Sequence, residues 1–298
     1  MILPFVKMQG AGNDFMVVNA VETPFRLTAD EIRRLADRRF GVGFDQLLVV
    51  EKPETAGADF KYRIFNADGG EVEMCGNGAR CFAVFVRELG LTDKRTIACE
   101  TMRGIIRPTI ETDGTVTVDM GAPRFAPEDV NLRAEGLPSK TEGEALLYGI
   151  AAGGVDNWFS IVSMGNPHAV RVVEDVAGDL PAAVGGQMQA LPYFEKQVNV
   201  GFLQILGRTE VRLRVYERGA GETLACGTGA CAAVVSGIRR GLLDEDVLVH
   251  MRGGDIRVRW AGHNAEDSAA NVYLSGPAVT VFTGEIDPNA IELPHADF

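Results

Sequence analysis

The sequence lacks any unbroken apolar run near the roughly twenty residues that a membrane helix needs, so no helical span is expected. Its opening stretch, Met1-Ile2-Leu3-Pro4-Phe5-Val6-Lys7-Met8, has no basic segment ahead of its apolar residues and no long apolar core. It reads as a first strand and not as a secretory signal. Basic residues are scarce beside acidic ones: 29 Lys and Arg against 41 Asp and Glu leave a net charge of −12. A large nucleic-acid interface needs a basic footprint, so nucleic acid is not an expected partner. Cysteines number only five, an odd count in a chain without an export signal. That argues against a disulfide framework and for a reducing, cytoplasmic setting. Histidines number four, none beside a cysteine, and the spacings Cys75–Cys81 and Cys226–Cys231 are not Cys-x-x-Cys; no metal site is expected. No cofactor motif and no low-complexity segment is present.

What is there is a repeat. Met74-Cys75-Gly76-Asn77-Gly78-Ala79-Arg80 recurs 151 residues later as Ala225-Cys226-Gly227-Thr228-Gly229-Ala230-Cys231. Aligned without a gap, residues 65–84 and 216–235 are identical at seven positions, including Gly70/Gly221, Glu71/Glu222, Cys75/Cys226, Gly76/Gly227 and Gly78/Gly229. Both copies read as strand, turn, a cysteine at a helix start, then an apolar helix. At 298 residues the chain has room for two domains, and a duplication accounts for both.

Ile2–Met8 and Phe15–Asn19 are expected as strands around a glycine-containing loop. Thr28-Ala29-Asp30-Glu31 is a capping box that predicts a helix from Ala29 to Arg38. Gln46–Glu51, Phe60–Asn66, Thr96–Thr101, Gly104–Glu111 and Thr115–Met120 follow as strands, with Asp113-Gly114 as a hairpin turn. The helix Ala79–Leu89 is apolar nearly all round, which places it inside the structure. Gly121–Gly143, rich in proline, glycine and acidic residues, is the expected domain boundary. In the second half Asn157–Ser163, His168–Val173, Val198–Leu206 and Thr209–Tyr216 read as strands, and Gly185–Phe194 as a short helix. The second buried helix, Thr228–Arg240, and the strands Val247–Arg252, Ile256–Trp260, Asn271–Ser275 and Val279–Gly284 complete the chain. The fold class is α+β: two pseudo-symmetric domains, each a mostly antiparallel sheet around one buried helix.

A cysteine at a helix start meets unpaired N–H groups and the positive end of the helix dipole. This is expected to lower its thiol pKa below the free value of about 8.5. The flanking glycines let a carboxylate approach the amides. If both helix starts address one cleft, two thiols flank the carbon beside that carboxylate. One thiolate then removes the α-proton and the opposite thiol returns one to the other face, inverting the centre, with fixed N–H dipoles stabilising the charge that develops. Two competing readings are weaker. A buried cysteine is ordinarily a small core residue, and Cys81, Cys99 and Cys231 read so, but the duplicated Cys-Gly-x-Gly context argues against it for Cys75 and Cys226. Gly227-Thr228-Gly229-Ala230-Cys231-Ala232 fits a dinucleotide fingerprint, but the residues before it make no buried parallel strand and the first copy breaks the pattern.

Gly12-Asn13-Asp14-Phe15, Asp45-Gln46, Asn66-Ala67-Asp68-Gly69, Cys75-Gly76-Asn77-Gly78, Gly165-Asn166-Pro167-His168, Asn199-Val200, Glu217-Arg218-Gly219 and Cys226-Gly227-Thr228-Gly229 together resemble the diaminopimelate epimerase family, in order from about residue 5 to 285. The resemblance implies curved sheets wrapped around central helices, with the C-terminal end returning to the first half. Domains are therefore expected at 1–121 with about 275–298, and at 122–274. It implies cofactor-independent interconversion of LL- and meso-2,6-diaminopimelate, in lysine and peptidoglycan-precursor biosynthesis, by a homodimer.

By that resemblance Cys75 and Cys226 are the two acid/base residues, and Asn13 and Gln46 line the reacting end. The amides of Gly76-Asn77 and Gly227-Thr228 hold the reacting carboxylate. Asn66, Asn166, Asn199 and Arg218 bind the distal amino-acid head with Glu217 beside them, and His168 and Glu217 tune the thiols. A planar guanidinium suits a carboxylate, and asparagines offer a zwitterion both donors and acceptors. Proline racemases and hydroxyproline epimerases resemble the chain in their cysteine logic, but their cyclic substrates have no second head for Arg218 and the asparagines. Against a non-catalytic amino-acid-binding or redox-sensing protein on the same fold, the retention of both cysteines argues that the chemistry is kept. The segment from Ser139 to Gly154 carries no recognised motif and looks irregular.

Overall fold

The computed structural model describes residues 2–72, 76–152, 155–262 and 269–292. The chain divides into two compact units: residues up to 118 with those from 276 onward, and residues 119–275.

In the first unit β1 (Leu3–Gly10) turns back on β2 (Asn13–Asn19). Ala11 and Gly12 make the turn with φ of 52° and 93°, the left-handed pair whose twist suits a two-residue hairpin. The helix α1 (Ala29–Ala36) begins at the expected capping box. It stops short of Arg38 because Asp37 is extended and its carboxylate accepts from the Arg39 and Phe40 amides. Next, β3 (Gln46–Glu51) pairs parallel with β2, and β4 (Phe60–Asn66) antiparallel with β3. The short β5 (Glu71–Val72) folds back on β4 and leads to α2 (Gly76–Glu88). Then β6 (Cys99–Thr101) runs parallel to β4, and β7 (Gly104–Ile106) pairs with β6. The single strand expected over Gly104–Glu111 is broken. Pro108 has no N–H for a ladder, so β7 ends and a separate β8 (Thr109–Ile110) pairs with β9 (Val116–Asp119) around Asp113-Gly114. The C-terminal strand Val279–Ile286 pairs with the other side of β1.

The second unit opens with the hairpin of β10 (Ser139–Glu142) and β11 (Ala145–Ala152), where an irregular segment was expected. Its tip explains the misleading composition. Gly143 has φ of 58°, and a Cβ there would lie 2.5 Å from the Arg239 carbonyl. The Glu144 N–H donates to that same carbonyl at 2.7 Å, satisfying one orphan group at a helix end. The chain continues through β12 (Val155–Ser163), β13 (Pro167–Val173), α3 (Leu180–Ala190), β14 (Asn199–Gly207), β15 (Glu210–Glu217), β16 (Gly221–Thr223) and α4 (Gly227–Arg239). It ends in β17 (Asp246–Met251), β18 (Gly254–Arg259) and β19 (Tyr273–Gly276). The helix expected from Gly185 begins at Leu180 instead, with Pro181 in its first turn. Gly185 is not a boundary residue: a Cβ there would fall 2.5 Å from the side chain of Tyr216.

The duplication extends through the whole of the first sheet and eight strands of the second. The C-terminal strand, β1, β2, β3, β4, β6 and β7 are adjacent in that order, as are β11, β12, β13, β14, β15, β17 and β18. In each set the third and fourth strands are parallel, as are the fifth and sixth, and the other pairs are antiparallel. A short strand folds back on the fifth and leads to a 13-residue helix in both. The helices α2 and α4 each pack across the strands of their own unit and are buried over most of their length, as their apolar sequences require. This is the expected α+β architecture of two sheet-and-helix halves.

Candidate active site

In the first unit the named residues gather where β2, β3 and β4 meet the start of α2. The parallel register sets Phe15 level with Gln46, and the antiparallel register sets Gln46 opposite Asn66. Gln46 Nε2 donates to Asn66 Oδ1 at 2.9 Å. Asn13 Nδ2 donates to Asp45 Oδ2 at 3.1 Å, and Asn77 Nδ2 donates to Asn13 Oδ1. Asp14 is held by Lys7 and, through both carboxylate oxygens, by Arg38. Burial alone raises the Asp14 carboxyl, but the hydrogen bonds and charges of Arg38 and Lys7 outweigh it and hold it at about 2. Cys75 lies outside the described residues; Gly76, its neighbour, opens α2.

One residue of this network escaped the sequence reading. Arg80 is fully buried one turn into α2, donating from Nη1 to Asn77 Oδ1 at 2.8 Å and from Nε to the Pro277 carbonyl at 3.2 Å. A buried cation is kept only where hydrogen bonds hold it, and these bonds fix Asn77, which fixes Asn13. The signal was present: Arg80 is a charge near the head of a helix whose other charges, Arg87 and Glu88, come only at its end.

In the second unit the equivalent elements carry the other set. The parallel register sets His168 level with Asn199, and Glu217 ends β15. The Cys226 thiol donates to Glu217 Oε2 at 3.0 Å and lies 3.7 Å from Thr228 Oγ1. Glu217 Oε1 accepts from Thr223 Oγ1 at 2.6 Å, and its carbonyl accepts from Gln189 at 2.9 Å. Asn166 Nδ2 donates to Thr228 Oγ1 at 3.2 Å. Asn166 Oδ1, which can only accept, takes the Nε2–H of His168 at 3.0 Å. Asn199 Nδ2 donates to the Pro167 carbonyl, and its Oδ1 accepts from the Arg218 backbone N–H. The Arg218 side chain is exposed and reaches the Lys196 carbonyl at 3.4 Å. The sequence reading missed Thr223 and Gln189, whose role arises only once the hairpin folds.

The expected direction of the thiol shift is reversed at Cys226. Burial and the charge of Glu217 push the thiol well above its ordinary value, against weaker lowering by Thr228 and the Gly229 amide. Near neutrality this cysteine is a thiol, and its S–H is held by Glu217. His168 is 1 % exposed. Burial, with the positive charge of Arg218, holds it down at about 3, so it is a neutral donor that orients Asn166. A partner that holds a proton beside one that accepts it is the arrangement general acid–base chemistry needs.

The fold resembles solved structures of distant sequence. A phenazine biosynthesis protein of the PhzF family from Bacillus anthracis aligns with a TM-score of 0.67 at 19% identity, over 96% of this chain and 99% of that one. A hydroxyproline epimerase from Agrobacterium vitis aligns with the same TM-score at 16% identity, over 99% and 96% of the two chains. Sequence relatives are much nearer. The chain is 57% identical over 290 residues to a diaminopimelate epimerase of Burkholderia vietnamiensis, covering 97% of this chain and 100% of that protein. It is 55% identical over 287 residues to that of Paraburkholderia xenovorans, covering 96% and 99%. The model of the diaminopimelate epimerase family matches residues 5–126 and again 160–281, one match for each copy of the cysteine motif, and the chain belongs to that family of isomerases.

Proposed function

We propose that the chain interconverts LL- and meso-2,6-diaminopimelate by moving one proton at the α-carbon between Cys75 and Cys226, without a cofactor, as a step toward lysine and peptidoglycan precursors. The observation that carries the mechanism is the Cys226 thiol donating to Glu217 at 3.0 Å at the head of α4. In one direction the Cys75 thiolate removes the α-proton and Cys226 delivers its own to the opposite face. Glu217 holds the acidic thiol in place, and amides at Gly76-Asn77 and Gly227-Thr228 bind the carboxylate as charge spreads onto it. In the other direction the roles exchange. Arg218 is exposed and suited to the distal carboxylate. Asn66, Asn166 and Asn199 orient the distal head, with Asn13 and Gln46 at the reacting end.

The nearness of two diaminopimelate epimerases supports the substrate. A reducing cytoplasm suits an enzyme whose two bases would be lost to a disulfide. A homodimer is the proposed assembly. The strand Val279–Ile286 pairs on one side with β1 and exposes Val279, Val281 and Phe282, an apolar edge of the kind that a second copy covers.

The test is incubation of reduced protein with LL-diaminopimelate in D2O. Deuterium at one α-carbon together with formation of the meso isomer is the expected result. No exchange, with proline racemised instead, would select the chemistry of the cyclic imino acids.

A further inference from the structure

The duplication keeps one more pair of residues that no catalytic role has absorbed. Arg63 and Arg214 are separated by the same 151 residues as the cysteines, and so are Glu71 and Glu222. Each arginine grips its glutamate with two parallel bonds. Arg63 donates from Nε to Glu71 Oε1 at 2.7 Å and from Nη2 to Oε2 at 2.9 Å. Arg214 donates from Nε to Glu222 Oε1 at 2.6 Å and from Nη2 to Oε2 at 2.8 Å. Fork-to-fork pairing of this kind fixes orientation as well as distance.

The place of each pair in the fold gives it a task. Glu71 stands opposite Phe65 in the β4–β5 hairpin, and Glu222 stands opposite Tyr216 in the β15–β16 hairpin. The arginine is a diagonal cross-strand neighbour in both cases. Between the two grips lies the turn that starts at Asn66 in one unit and at Glu217 in the other. Four residues beyond each glutamate comes the cysteine. Both partners are shielded in the second unit, with side chains 17% and 15% exposed. Arg214 also donates to the Val176 and Gly178 carbonyls, and Arg252 reaches Glu222 at 3.0 Å.

We propose that Arg214–Glu222 is a positioning pair, a clamp that closes the β15–β16 hairpin so that Glu217 and Cys226 meet in a fixed geometry, and that Arg63–Glu71 is the same clamp on the β4–β5 hairpin. The inference rests on the two-cysteine reading above. In the second unit the clamp holds the strand ends that carry Glu217 and Thr223, which bond to each other, and Glu217 bonds to Cys226. Displacing a reacting group by about 1 Å can cost on the order of a hundredfold in rate. Pairing far from the substrate therefore acts on turnover more than on affinity.

The experiment uses the full chain with Arg214→Lys, which keeps the charge but loses the fork, and Glu222→Gln, which keeps the shape but loses the charge. Three quantities are read: kcat and KM for diaminopimelate, the melting temperature, and the pH dependence of Cys226 alkylation by iodoacetamide, located by peptide mass. Near Cys226 the groups that set this titration are Glu217 and Thr228. Loosening Glu217 frees the thiol from its charge, so the alkylation midpoint moves to lower pH. The expected result is that shift, with kcat lower by about tenfold to a hundredfold and KM changed much less. A lower melting temperature with the parent's kcat and alkylation profile would make the clamps merely structural and overturn the proposal. If the parent itself fails to epimerise diaminopimelate, the functional reading fails first. The alkylation profile, which needs no substrate, still decides whether the clamp positions Cys226.

Discussion

The two units share a frame around their helix starts and differ in charge. Asn13 opens and Asn166 immediately precedes the first strand of a parallel pair, and each is bonded to the second residue of its cysteine helix, Asn77 in one unit and Thr228 in the other. Gln46 and Asn199 occupy the same place on the neighbouring strand, level with Phe15 and His168. At the end of the next strand the halves part: Asn66 in the first corresponds to Glu217 in the second. A two-base reaction starts with one thiolate and one thiol. Two identical half-sites would have no preference for which is which. In the proposed reaction the carboxylate against Cys226, at the position that Asn66 fills in the first unit, supplies that preference. Duplication kept the frame, and Glu217 in place of Asn66 is the change that bonds to the thiol.

The largest effect is expected from removing the second half's donor. Cys226→Ser leaves an alcohol, far too weak an acid to meet a developing carbanion at neutral pH. Turnover of LL-diaminopimelate should fall by about 10²–10⁴, the usual worth of a positioned general acid–base group. A steady-state rate within tenfold of the parent would remove Cys226 from the chemistry and leave the two halves without a functional contrast.

A finer cut makes the halves alike. Glu217→Asn gives the second unit the residue found at Asn66. Burial still raises the Cys226 thiol, but the carboxylate's charge and hydrogen bond are gone. The midpoint of Cys226 alkylation should move down in pH, and kcat should fall by about tenfold, less than loss of the acid itself. An unmoved alkylation midpoint would show that burial alone sets this thiol and that the asymmetry lies elsewhere.

Much of this frame was legible in the sequence because it is written twice. The repeat located both cysteine helices, and their long apolar runs placed them inside. What stayed hidden depended on contacts between distant segments. Gly185 reads as a helix boundary until Tyr216 is seen packed against it. Gly143 reads as irregular chain until the end of α4 is seen above it. The sign of the thiol shift was misjudged for a related reason. A helix start is visible in one dimension, whereas the burial of Cys226 and the approach of Glu217 from the preceding hairpin are not.

The smallest predicted effect concerns stability and the pair Phe15 and His168, which stand at matching register in the two halves and are both buried. Phe15 cannot titrate. His168 can, and burial with the charge of Arg218 holds it at about 3, against an ordinary value of 6.5. Below 6.5 the unfolded chain takes up a proton at this residue while the folded chain does not. Folding is therefore unaffected by this group above 6.5 and loses stability as the pH falls toward 3, by up to about 1.4 kcal/mol per pH unit. Asp14 adds its own loss only lower, between 3.8 and about 2. His168→Gln keeps a donor for Asn166 and removes the titration. Urea unfolding at pH 7 and at pH 5 should show the parent losing about 2 kcal/mol more than the variant across that interval. Equal losses would mean that His168 titrates in the folded chain as it does in the unfolded one and is not held neutral by its burial.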